Sequence, residues 1–75
     1  MDLVLVTRRG CHLCDDAEAA LRELDVEFAD VDVDGDPELA RLYDFRVPVL
    51  LAGGRPVLEG RITVDALRSR LGAAG

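Results

Sequence analysis

Leu3-Val4-Leu5-Val6-Thr7-Arg8-Arg9-Gly10-Cys11-His12-Leu13-Cys14 decides how this chain is read. Leu3 to Val6 is an unbroken apolar, β-favouring run, the pattern of a strand buried on both faces. Thr7 to Gly10 interrupts it. From Cys11 onward Leu13, Ala17, Ala20, Leu21 and Leu24 recur at helical spacing, with Asp15, Asp16, Glu18, Arg22 and Glu23 turned to water. The two cysteines, the only ones in the chain, therefore open a helix that follows a central strand. A disulfide closing so small a ring is a poor staple, worth about 2 kcal/mol on the chain-entropy account. The spacing suits a bond that opens and closes.

Downstream, Asp25 starts a turn and Val26 to Val33 returns to β-type residues. Asp36-Pro37-Glu38 reads as a helix start, with Asp36 as N-cap and Pro37 at the first helical position. Leu39, Ala40, Leu42 and Tyr43 supply its apolar side. Val47-Pro48-Val49-Leu50-Leu51 is a strand entered through proline, Gly53-Gly54 a hairpin turn, and Pro56-Val57-Leu58 the returning strand. Thr63 caps a last helix with Val64, Leu67 and Leu71 inward and Arg68 and Arg70 in its final turn. Gly72 is expected to end it and residues 73–75 to fray. The order is β-α-β-α-β-β-α within one domain, residues 1–75.

With 75 residues and 49% apolar content the chain supports one small core. It holds no apolar run of about 18 residues and no secretory pattern, so a cytoplasmic protein is expected; a monomer is expected besides, with the oligomeric state left open by the sequence. Its net charge of −6 argues against a nucleic-acid partner. All nine basic residues are arginine, which removes lysine chemistry. In a reducing compartment a Cys-x-x-Cys pair favours redox or metal chemistry over a structural bridge.

A thiol reacts as its thiolate, and an ordinary cysteine, with a pKa of about 8.5, is mostly protonated at neutral pH. Cys11, at a helix N-terminus, sits where unpaired N–H groups favour the anion. Cys14, one turn later, is expected to be buried and neutral. The asymmetry makes Cys11 the nucleophile and Cys14 the resolving thiol of dithiol–disulfide exchange. His12, as imidazolium, would stabilise the Cys11 thiolate, whereas Asp15 and Asp16 oppose it.

The element order, the cysteine pair between first strand and first helix, and Pro48 at the entry of the third strand together resemble the thioredoxin superfamily over nearly the whole chain. Val31 to Ala40 and Tyr43 to Leu51 look like that superfamily's second-helix and cis-proline segments. Small size makes the chain more similar to glutaredoxins and small glutaredoxin-like bacterial proteins. The resemblance implies a four-stranded mixed sheet in order 4-3-1-2 with strand three antiparallel and helices flanking it. It implies a cis Pro48 facing the cysteines, with the backbone of Val47 offered to an incoming sulfur-bearing chain. Arg8 matches a basic residue that meets a glutathione carboxylate in many glutaredoxins, and Arg46 is the second cation bordering the groove.

The chain departs from the glutaredoxin pattern in two places. Arg46-Val47-Pro48 replaces Thr-Val-Pro, and Glu59-Gly60-Arg61-Ile62-Thr63 lacks the acidic pair that receives a γ-glutamyl end. It also lacks tryptophan, so it is not an ordinary thioredoxin. The leading expectation is a glutaredoxin-like oxidoreductase with a redox-active Cys11–Cys14 disulfide and no bound cofactor. Its substrates would be protein or low-molecular-weight disulfides, and its electrons would come from glutathione or a reductase. The alternatives are a redoxin fed by thioredoxin reductase that serves a client such as ribonucleotide reductase, and a non-catalytic thioredoxin-fold module binding partners or metal. Asp30, Asp32, Asp34 and Gly35 mimic an EF-hand opening, but the twelfth position is Arg41 rather than glutamate. Cys11, His12 and Cys14 are one ligand short of a closed zinc site. Phe28, Tyr43 and Phe45 are expected in the core or at the groove edge.

Overall fold

The computed structural model describes residues 2–71. In chain order the elements are β1 (Leu3–Thr7), α1 (His12–Glu23), β2 (Ala29–Asp32), a 3-10 turn (Val33–Gly35), α2 (Pro37–Tyr43), β3 (Val49–Ala52), β4 (Arg55–Glu59) and α3 (Val64–Leu71). The strands form one sheet in order β2-β1-β3-β4. β1 runs parallel to β2, and β3 runs antiparallel to both β1 and β4. This is the expected thioredoxin-type sheet. The expected end of the last helix at Gly72 and the fraying tail at 73–75 lie outside the described residues. Among the described residues no helix is long and apolar enough to cross a membrane.

The continuous apolar run of β1 has a simple cause. Leu3 and Leu5 point to one face and pack with Ala17, Ala20 and Leu21 of α1, Leu50 of β3, Ile62 and Leu67 of α3. Val4 and Val6 point to the other face, where Val33, Tyr43, Val49 and Leu51 gather, with Leu39 and Ala40 of α2 against them. A strand with helices over both sides has no polar face to show. β3 obeys the same rule, pairing Leu5 with Leu50 and Val6 with Val49 across the antiparallel ladder. β4 lies at the sheet edge, which is where its Pro56 is tolerated.

Local signals act where the residues place them. Asp36 accepts from the amides of Glu38 and Leu39 at 3.0 and 3.2 Å, with Pro37 opening α2. Thr63 Oγ1 accepts from Ala66 N at 3.1 Å and caps α3. Gly53 and Gly54 take φ of 58° and 83°, as a two-residue hairpin requires. α1 ends through Asp25 at φ 57°, with Val26 N donating to Leu21 O and Asp25 N to Arg22 O, the paired bonds of a left-handed helix stop.

Four expectations are corrected. The β-type stretch from Val26 to Val33 yields strand only at Ala29–Asp32, because Val33 turns into the 3-10 segment to bury its side chain. Leu13 is 37% exposed. It lies in the azimuth of the α1 stripe but in the helix's first turn, and it joins neither apolar cluster. Leu42 of α2 is also exposed, its helix packing through Leu39, Ala40 and Tyr43 instead. Phe45 is 96% exposed, outside any core, because it follows the end of α2 in the turn leading to Pro48.

Candidate functional site

β1 delivers the chain to the cysteine pair through a tight turn. Gly10 takes φ 78°, a conformation that L side chains rarely adopt, and Cys11 N donates to Arg8 O at 3.3 Å. Cys11 then occupies the N-cap of α1 in extended conformation. Its Sγ accepts from Cys14 N at 3.2 Å, while its carbonyl accepts from Asp15 N at 3.1 Å. The sulfur thus stands where a serine or aspartate cap oxygen would stand. An anion there gains a direct N–H donor and the positive end of the helix.

Cys14 lies in a different medium. It is 2% exposed, and burial, reinforced by the neighbouring Cys11 sulfur, pushes its thiol up to about 12. Both cysteines are free thiols, with Cys11 half-buried, and they approach each other near disulfide distance. One turn of helix therefore holds a reachable sulfur at the helix cap beside a covered sulfur favoured as neutral thiol. His12 and Leu13, between them, both face solvent.

The second wall comes from β3. Val6 pairs with Val49, so continuing the register by one residue brings Pro48 opposite Thr7, where β1 gives way to the cysteine turn. The Val47–Pro48 bond is cis and Pro48 is fully buried, its carbonyl accepting from Gly60 N at 2.9 Å. Val47 is half-buried against the second core.

The cations are held by partners far away in sequence. Arg8 makes a two-pronged contact with Asp34, Nε to Oδ2 at 3.1 Å and Nη2 to Oδ1 at 2.9 Å. Its Nη1 donates to the Asp44 carbonyl at 3.0 Å, and Nη2 also donates to the Asp44 carboxylate. These bonds tie the turn before Cys11 to the 3-10 turn and to the segment before Pro48. Arg8 holds the Asp34 carboxyl below the usual carboxylate range. Arg46 Nε donates to Glu59 Oε2 at 2.7 Å, and its guanidinium lies 5.4 Å from the centroid of the Tyr43 ring. Asp34, Asp44 and Glu59 were not singled out as site residues from sequence. No local motif signals them, because their partners lie 26, 36 and 13 residues away.

On the β2 side an open cavity of about 340 Å³ borders Cys14, Arg9, Asp15, Glu18, Asp30 and Asp32. Thr7 Oγ1 donates to Asp30 Oδ1 there at 2.8 Å, whereas the Asp32 carboxylate accepts from Asp34 N. The three aspartates that imitate a calcium loop thus serve three separate contacts. Among the described residues no group of three or more His, Cys, Asp or Glu is arranged to hold a metal ion.

Residues 2–72 match the family model described as "Glutaredoxin-like domain (DUF836)". Target protein XcR50 from X. campestris has 40% identity over 97% of this chain and 99% of its own, with a TM-score of 0.83. Protein Ne2328 from Nitrosomonas europaea has 35% identity over 91% of this chain and 87% of its own, with a TM-score of 0.77. Glutaredoxin from Brucella melitensis has 30% identity over 92% of this chain and 79% of its own, with a TM-score of 0.68. No curated protein matches the chain. With a Cys-x-x-Cys pair at the head of α1 on a thioredoxin-type sheet, and a family match running nearly end to end, the chain belongs to the glutaredoxin-like domain family (DUF836).

Proposed function

We propose that this protein is a thiol–disulfide oxidoreductase working through Cys11 and Cys14. The observation that carries the reading is the unequal setting of the two sulfurs: Cys11 caps α1 and accepts the Cys14 amide, whereas Cys14 is covered and its thiol raised. The Cys11 thiolate attacks one sulfur of a substrate disulfide, forming a mixed disulfide and expelling the other half as thiolate, which takes up a proton. Cys14 gives up its proton and attacks Cys11 Sγ. That step releases the second half as a thiol and leaves the Cys11–Cys14 disulfide. Two electrons pass from the dithiol to the substrate, and an external thiol or reductase returns them.

Val47 and Pro48 form the platform beside the pair, Val47 presenting backbone to the substrate chain. His12, exposed next to Cys11, adds positive charge when protonated. Arg8 serves the site by fixing the cysteine turn to the segment that leads into Pro48.

The test is reduction of a generic disulfide by the purified protein with dithiothreitol as reductant. Cys11→Ser abolishes turnover. Cys14→Ser accumulates a covalent adduct at Cys11, visible by intact mass. Turnover undiminished in Cys11→Ser retires the proposal and favours a non-catalytic binding module.

A further inference from the structure

Resting on that oxidoreductase reading, we propose that the site selects disulfides and thiols by charge, taking basic or neutral ones and disfavouring acidic ones such as glutathione disulfide. A small acidic disulfide is held by free cations on the groove rim, and three arginines expected around the cysteines, Arg8, Arg46 and Arg9, have carboxylates beside them. Arg8 spends four of its N–H groups on Asp34 and Asp44, out of the five a guanidinium has. Arg46 has its Nε on Glu59 and its plane near Tyr43. Arg9 borders the cavity whose wall carries Asp15, Glu18, Asp30 and Asp32 beside Cys14. Two arginines thus bind three carboxylates, and four more carboxylates line the cavity that Arg9 and Cys14 border, in a chain of net charge −6. An incoming carboxylate would compete with Asp34 and Asp44 for Arg8 and with Glu59 for Arg46, whereas an incoming ammonium meets an excess of anions.

The exposure of these groups sets how the selection acts. Arg46 and Glu59 are each about half exposed, so their field is screened by salt over about 10 Å at 0.1 M. Charge selection should therefore be large at low ionic strength and small at high ionic strength. A pocket selecting by shape would show no such dependence.

The experiment oxidises the reduced wild-type protein with three small disulfides. These are cystamine, with two positive charges, uncharged 2-hydroxyethyl disulfide, and glutathione disulfide, with a net negative charge. Each rate is divided by that disulfide's rate with dithiothreitol alone, which removes intrinsic reactivity. At about 20 mM salt the expected order is cystamine, then the neutral disulfide, then glutathione disulfide, with a spread of about tenfold or more; at about 0.5 M the spread falls to about threefold or less. In the triple variant Asp34→Asn, Asp44→Asn, Glu59→Gln, the ratio of glutathione to neutral disulfide rises about fivefold. Should that variant not fold, the salt dependence of the wild type still decides. Glutathione disulfide reacting fastest, or a spread indifferent to salt, overturns the inference while leaving the oxidoreductase reading intact. No oxidation by any of the three, the neutral one included, sinks that reading and this inference with it.

Discussion

The amide of Cys14 donates to the sulfur of Cys11 across 3.2 Å, so in the proposed exchange the resolving residue would also support the attacking one. That support comes from backbone, and a side-chain change at position 14 leaves it in place. Cys14→Ser should therefore keep fast attack by Cys11 and lose only release. Rapid mixing with a chromogenic disulfide should show a first phase within about threefold of wild type and a second phase slower by about a hundredfold or more.

The raised Cys14 thiol has a consequence for stability. Its folded value, about 12, lies above its unfolded value near 9. The folded protein holds that proton more tightly, so the contribution is complete below about pH 9 and is lost as pH rises toward about 12. Urea titrations of the reduced protein from pH 8 to about 11 should show falling stability. Cys14→Ala should flatten that alkaline slope.

Arg8 works at the acid end. Asp34 is held below its ordinary range by Arg8, so its contribution is present above about pH 4 and is lost as pH falls through the carboxylate range. Arg8→Gln should lower the denaturation midpoint at pH 7 and shrink the acid-induced loss. It should also slow exchange several-fold, because the cysteine turn loses its tie to Asp44 ahead of Pro48.

Packing supplies a prediction independent of the chemistry. Leu50 is fully buried between β1, α1 and α3, and Leu50→Ala should cost about 3 kcal/mol. That is a large share of the stability of so small a domain. Equilibrium urea unfolding measures it.

Asp25, at φ 57°, closes α1 with a side chain in left-handed backbone. Asp25→Gly should stabilise by about 0.5 kcal/mol, relief of the backbone cost outweighing the entropy of glycine. Asp25→Val should destabilise by about 1 kcal/mol, because a branched side chain tolerates that region poorly. Thermal unfolding resolves the opposite signs.

The sequence was informative wherever a feature is decided locally. Leu3 to Val6 read as a strand covered on both faces because adjacent side chains feed two separate cores. Asp36-Pro37, Thr63 and Gly53-Gly54 act within three residues of themselves, and each does what its type dictates. The misread positions are those settled by distant packing. Leu13 has the azimuth of a core residue but, in the first turn of α1, joins neither apolar cluster, and Val33 left the strand to pack with Val6 and Val49.

The site divided along the same line. The Cys11–Cys14 asymmetry was legible because burial and capping both follow from helix position. Arg8 and Arg46 stood out in the sequence as cations expected to border a groove. Their partners Asp34, Asp44 and Glu59 were not, since only the folded chain brings them into reach. The cations looked open to an anionic substrate in one dimension and are occupied in three.

The most direct test is competitive alkylation of the reduced protein at pH 7, with Cys11 and Cys14 modification followed separately by peptide mass. The account predicts that Cys11 is modified at least about tenfold faster, because it is reachable at the helix cap while Cys14 is covered and its thiol is raised by burial. Equal rates at the two positions, or faster modification of Cys14, would contradict it.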